Sequence, residues 1–178
     1  QDELVSACLV KNRTDVVMVT KKGQAIRFPI ANVPIRSRGA GGVRGIRLAP
    51  RDTVVSMDMT MSNNTLLVAS RSGYGKSTAL AHYRGQARGG VGLRTFRVSA
   101  KTGPLVTAMV VSDEPSQDVF LISSQAQVIR INLDDVRVMG RNTQGVIIWR
   151  DRDHPPERPR PRRLPRRSNP LSDACCRL

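Results

Sequence analysis

One pattern recurs three times in the first 150 residues, and it constrains the fold more than any other feature. The copies read DVVMVTKKGQAIRF from Asp15, NTLLVASRSGYGKST from Asn64 and DVFLISSQAQVIRI from Asp118. Each has an apolar strand, a hydroxyl residue (Thr20, Ser70, Ser123), two polar residues and a small turn residue (Gly23, Gly73, Ala126). A second strand follows, with a basic residue on it (Arg27, Lys76, Arg130). β-branched runs joined by a short loop with glycine at a positive-φ position predict a β-hairpin. Alanine is disfavoured at positive φ, so the third hairpin is expected to turn differently. The small residues are spaced 50 and then 53 apart.

Some twenty residues after each hairpin comes a glycine-rich basic loop and another apolar strand. The loops are RSRGAGGVRGIRL from Arg36, RGQARGGVGLRTFRV from Arg84 and GRNTQGVIIWR from Gly140. DTVVSMDM from Asp52 and PLVTAMVV from Pro104 read as further strands, and LVSACLV from Leu4 as the strand before the first hairpin. About four strands in about fifty residues is the size of a propeller blade. No helical period is sustained. The expectation is therefore an all-β chain of about three propeller-like blades over 1–150, an incomplete wheel. From Asp151 the sequence holds 6 of the 11 prolines and 8 arginines, with little to bury. Residues 151–178 read as a disordered tail.

Charge bears on function. Lys and Arg number 29 against 14 Asp and Glu, a net +15, which implies a polyanionic partner such as nucleic acid. The loops concentrate this charge. Arg36, Arg38, Arg44, Arg84, Arg88, Arg94, Arg137 and Arg141, with Lys76 on its strand, are the candidate phosphate contacts. Gly39, Gly41, Gly42, Gly89, Gly90 and Gly92 are expected to shape the loops. Three such loops in register would follow a double-stranded DNA backbone without reading bases.

The motifs themselves carry a resemblance. QARGGVG, from Gln86 through Arg88, Gly89 and Gly90 to Gly92, matches five of seven positions of the QRRGGKG box in the A subunit of DNA gyrase, departing at Ala87 and Val91. GYGKST (Gly73 to Thr78) is similar to the GYGKRT of that family's later blades. GVRGIRL and GRNTQGV look like the segments that close neighbouring blades. Residues 1 to 150 thus resemble the C-terminal domain of the DNA gyrase A subunit, with the A subunit of topoisomerase IV as near relative. By order they look like the last three of six blades, and the box-like loop like an echo of the true box.

The resemblance implies a β-pinwheel whose blades exchange strands and whose basic rim bends DNA. It also implies a bacterial, cytoplasmic, nucleoid-associated setting and partners in the topoisomerase N-terminal core and the ATPase B subunit. ATP and magnesium would act elsewhere in the holoenzyme, and this chain would hold no cofactor, metal or catalytic residue. Tyr74 and Tyr83 do not match the family's cleaving tyrosine. The family would continue past Trp149 with an acidic glycine turn and a closing strand, where this chain reads DRDHPPERPRPRR. A shifted or truncated reading frame fits that break; a genuine Arg/Pro tail adding DNA affinity is the alternative.

Other signals point to different classes. Gly75-Lys76-Ser77 ends like a P-loop, but the first glycine of that motif would fall at Ser70. The terminal CCRL has the form of a prenylation box at Cys175. His82 and His154 lack a second ligand at useful spacing. Met57, Met59 and Met61 alternate as strand residues do. Asp134-Asp135 and Asp113-Glu114 read as solvated turns. Cys8, Cys175 and Cys176 suit neither a zinc site nor a disulfide framework and fit a reducing compartment. No apolar run approaches the length of a membrane helix. The opening Gln1, in place of Met, fits a fragment. The rivals to a DNA-wrapping module are a protein-interaction propeller, a nucleotide-using enzyme and a non-functional gene fragment.

Overall fold

A computed structural model describes residues 2–10, 14–60, 64–112 and 117–150. Among these residues ten strands follow the three hairpins in chain order. The first sheet holds β1 (Asp15–Thr20), β2 (Gln24–Pro29), β3 (Val54–Thr60) and β6 (Leu93–Arg94), in the order β3-β1-β2-β6. The second holds β4 (Thr65–Ser70), β5 (Tyr74–Ala79), β7 (Leu105–Val111) and β10 (Val146–Ile147), in the order β10-β5-β4-β7. The third is the hairpin β8 (Asp118–Ile122) and β9 (Val128–Asn132). A single 3-10 turn follows each hairpin, at Ile30–Asn32, Leu80–His82 and Leu133–Asp135.

The order of strands shows the exchange. Each of the two larger sheets takes its fourth strand from the loop of the next repeat. Thus Gln24 pairs with Arg94 and Ala25 with Leu93, while Gly75 pairs with Val146 and Tyr74 with Ile147. Blades 1 and 2 therefore have four strands each, and the third has two among the described residues.

The hydroxyl residues explain themselves at the hairpin turns. Thr20 Oγ1 accepts the Gln24 amide, Ser70 Oγ that of Tyr74, and Ser123 Oγ those of Gln125 and Gln127. The third hairpin uses the same turn as the others, against expectation. Its Ala126 takes φ +62°, beside +83° at Gly23 and +74° at Gly73. The turn bond has the same form in each: Ala126 N–H donates to Ser123, as Gly23 donates to Thr20.

Burial records where each blade sits. β4 and β5 are buried along nearly their whole length, because blade 2 is covered on both faces. Val17, Val19, Ala25, Leu66, Val68, Leu80, Tyr83, Phe96 and Leu105 form the core between blades 1 and 2. Val16, Ile26, Phe28 and Ile46 cover the far face of blade 1, and Leu67, Val111, Val119 and Val136 join blades 2 and 3. β8 leaves Phe120 and Ile122 exposed on either side of Leu121, with Val119 buried. The apolar segment at Leu4 forms no strand: residues 2–10 lie outside the sheets, with Leu4 and Leu9 exposed. The tail 151–178, Met61, Asp113-Glu114, His154 and the paired cysteines lie outside the described residues.

Candidate nucleic-acid interface

The three basic loops meet one another in series. Arg47 N–H donates to Gly90 O and Gly89 N–H to Gly45 O, joining loop 1 to loop 2. Arg97 N–H donates to Thr143 O in the equivalent place, joining loop 2 to loop 3. With the spacing of 50 and 53 residues, each of the three joined loops carries arginines at matching places. Arg36, Arg38, Arg44, Arg84, Arg94 and Arg137 are exposed there. None of them takes part in an ion pair among the described residues.

Arg88 and Arg141 occupy equivalent positions and are half-buried. Each reaches back to the preceding loop. Arg88 donates to Arg44 O at 2.6 Å and to Asn32 O at 3.0 Å; Arg141 donates to Arg94 O at 3.3 Å. They fasten the loops and add positive potential beside the exposed arginines. The box-like loop is built for close packing. Gly89 and Gly92 have φ +83° and +76°, and a Cβ on Gly92 would stand 2.6 Å from Ala25 O. A Cβ on Gly90 would stand 3.2 Å from the Gln86 side chain. Gly39, Gly41 and Gly42 of loop 1 face open space.

Lys76 does not belong with the exposed arginines. It is wholly buried, and its Nζ donates to Gly140 O at 2.5 Å and Arg141 O at 2.6 Å, beneath loop 3. Burial, with the Arg141 guanidinium adding to it, lowers its pKa to about 8. The strand register gives the reason. Arg27 pairs with Val17, Arg130 with Phe120, and Ser77 with the equivalent Leu67. Lys76 is one residue earlier, where the other blades have Ile26 and Ile129, and one residue turns a side chain to the opposite face. Arg27 and Arg130 are tied instead to Asp15 and Asp118.

Around Lys76 lies a polar cluster. Thr78 Oγ1 donates to Met139 O at 2.9 Å, and the Tyr83 hydroxyl meets Thr95 Oγ1. Burial pushes the Tyr83 hydroxyl upward in pKa, opposed by its bonds to Thr95 and Thr78 and by Arg141. The GYGKST segment is accordingly a strand, paired with β4 and β10, and its backbone forms no phosphate cradle. Both tyrosines are buried.

Sequence reasoning passed over a second set of cations near the hairpin turns. Lys21 and Lys22 are exposed, as are Arg51, Arg71 and Lys101. The Lys21 amide and carbonyl bond to Thr53 and Leu105, which brings the turn of blade 1 against neighbouring segments. The signal was present in the repeat: Lys21-Lys22 and Arg71 fill the polar places before the turn glycine. Among the described residues no cluster of His, Cys, Asp and Glu has the makings of a metal site, and no helix is long and apolar enough to cross a membrane.

Comparison with known proteins follows the same repeat boundaries. The family described as DNA gyrase C-terminal domain, beta-propeller, matches at residues 14–60, 64–112 and 117–150. The DNA gyrase A subunit of Chlamydia pneumoniae is 42% identical over 147 residues, covering 82% of this chain and 17% of that protein. Its counterpart in Dehalogenimonas lykanthroporepellens is 37% identical over 155 residues, covering 84% and 19%. This chain thus spans under a fifth of the length of these relatives. A solved DNA gyrase A C-terminal domain superposes with a TM-score of 0.73 at 28% identity, over 80% of this chain and 49% of that one. The C-terminal domain of a DNA topoisomerase IV shares the fold, with a TM-score of 0.71 at 24% identity over 77% and 42%. Three matched repeats, exchanged strands and the loop glycines that permit the exchange agree: the chain belongs to the DNA gyrase C-terminal domain family.

Proposed function

We propose that this chain binds the backbone of double-stranded DNA along its basic loops, and bends it, as an accessory module of a type II DNA topoisomerase. The observation that supports the reading is the contact of loop with loop, with exposed arginines in each of the three repeats. Arginine forks suit phosphate oxygens, and the loops offer no groove-entering helix or ribbon to read bases. In a longer protein the module would lie beside the cleavage and religation core, partnered by an ATPase B subunit, and would support supercoiling by the assembly. ATP and magnesium would be used there, and no catalytic group would come from this chain. The setting would be the bacterial cytoplasm, at the nucleoid.

The test is anisotropy with labelled duplexes of increasing length, in a salt series. The full chain is expected to bind all sequences alike, more tightly with length, and less tightly as salt rises. Arg36, Arg84 and Arg94 changed singly to Ala should each lower the salt slope by about one. A change in sequence preference would contradict backbone tracking. Binding that ignores the loop arginines but disappears when residues 151–178 are removed would assign DNA binding to the tail.

A further inference from the structure

Both exchanges made within the chain close on one residue of the accepting hairpin. At blade 1 the Gly23 carbonyl accepts the amides of Thr95 and Phe96, at 2.8 and 3.3 Å. At blade 2 the Gly73 carbonyl accepts those of Ile148 and Trp149, at 2.9 and 3.1 Å. These bonds draw the incoming backbone onto the glycine. A Cβ built on Gly23 would stand 2.5 Å from Phe96 O, and one on Gly73 closer still to Trp149 O. Real Cβ contacts essentially never fall below 3.0 Å, and here the obstacle is backbone, which cannot swing aside. A second close approach secures each joint, where a Cβ on Gly92 or Gly145 would stand 2.6 or 2.5 Å from Ala25 O or Gly75 O.

The third hairpin has the same turn, and Ala126 stands where the joints have Gly23 and Gly73. The Cβ that two occupied joints exclude is present at the third. Beyond it β9 offers Gln127 and Val128, the counterparts of Gln24 and Ala25, with no strand paired on that edge among the described residues. The chain also carries an unengaged donor. Gly42 is the counterpart of Gly92 and Gly145, yet nothing lies within 4 Å of a Cβ placed on it.

We propose that Ala126 closes the third hairpin to strand exchange, against a further repeat and against the loop of a second copy alike. Exchange through this chain then has a direction. Among the described residues it remains open at the donor segment around Gly42 to Arg44, which fits a hairpin of the same kind with glycine at its turn. This closure is independent of any DNA binding by the loops.

The probe is a fluorescent peptide of residues 88–98, the donor segment that fills the joint of blade 1. It is titrated into the full chain and into its Ala126→Gly variant, with anisotropy as readout. The joints of blades 1 and 2 are already filled by the chain's own loops. The peptide is expected to bind the variant, and the unaltered chain at least roughly tenfold more weakly. A peptide carrying Gly92→Val should bind neither. Equal affinity for the two chains would overturn the proposal, since the Cβ would then not be the barrier. Failure of the variant to bind would overturn it as well, since something other than Ala126 would close that edge.

Discussion

Replacing Lys76 by methionine tests the buried ammonium directly. The Nζ is wholly enclosed and satisfied only by the two carbonyls of loop 3. Its pKa falls from 10.5 to about 8 in the folded chain. Between these values the unfolded chain binds more protons than the folded one, so stability rises with pH across the window. The same increment is lost as pH falls through about 8. One pH unit is worth about 1.4 kcal/mol per proton, which gives a gain of about 2 kcal/mol between pH 7 and 9.5. The carbonyl bonds favour the charged form and make this the upper end. Methionine keeps the length of the stem but has no proton to lose. Urea unfolding at pH 7, 8.5 and 9.5, followed by Trp149 fluorescence, should show the unaltered chain gaining on Lys76→Met as pH rises. The Tyr83 hydroxyl works in the opposite direction at higher pH, but it is common to both chains and cancels in the difference. A difference independent of pH, or one of opposite sign, would refute the burial argument.

The joints and the loops give further expectations. Phe96→Ala empties the core between blades 1 and 2 and should cost about 3–5 kcal/mol in urea unfolding. Gly73→Val should expose the Ile148 and Trp149 amides to hydrogen exchange, because a side chain there meets Trp149 O. Arg94→Ala should weaken DNA binding with little change in stability, whereas Arg88→Ala should lower both, since its guanidinium ties loop 2 to Asn32 and Arg44. Arg27→Met leaves the half-buried Asp15 unpaired and should cost about 1–3 kcal/mol, while Arg130→Met, at a largely exposed pair, should cost less than about 1 kcal/mol in the same unfolding assay.

The sequence made the hairpins legible because each is local. Strand, turn and strand lie within fourteen residues of Asp15, and alternation, hydroxyl and glycine all point the same way. The exchanged strands were another matter. Leu93 and Arg94 form a two-residue strand with no period to detect, and their partners Gln24 and Ala25 lie more than a repeat away. Only the family resemblance suggested the exchange. Lys76 was misplaced because a motif was matched by residue type without strand parity. The apolar run at Leu4 has strand composition, but composition does not supply a neighbour to pair with. Arg88 and Arg141 look like their exposed neighbours in sequence; what separates them is a carbonyl of the preceding loop, which no spacing within one loop reveals.

The offset between the sequence repeat and the blade has a consequence for synthesis and for cutting. As the chain leaves the ribosome, β1 to β3 emerge by Thr60, but their sheet gains its last strand only with Leu93 and Arg94. By then the next hairpin has already been made. Each completed blade thus waits on its successor, and premature release at a repeat boundary leaves an unfinished sheet. The same holds for evolution by duplication: a segment copied from hairpin to hairpin carries its own hairpin but donates its short strand backward, so every insertion must be accepted by two neighbours at once.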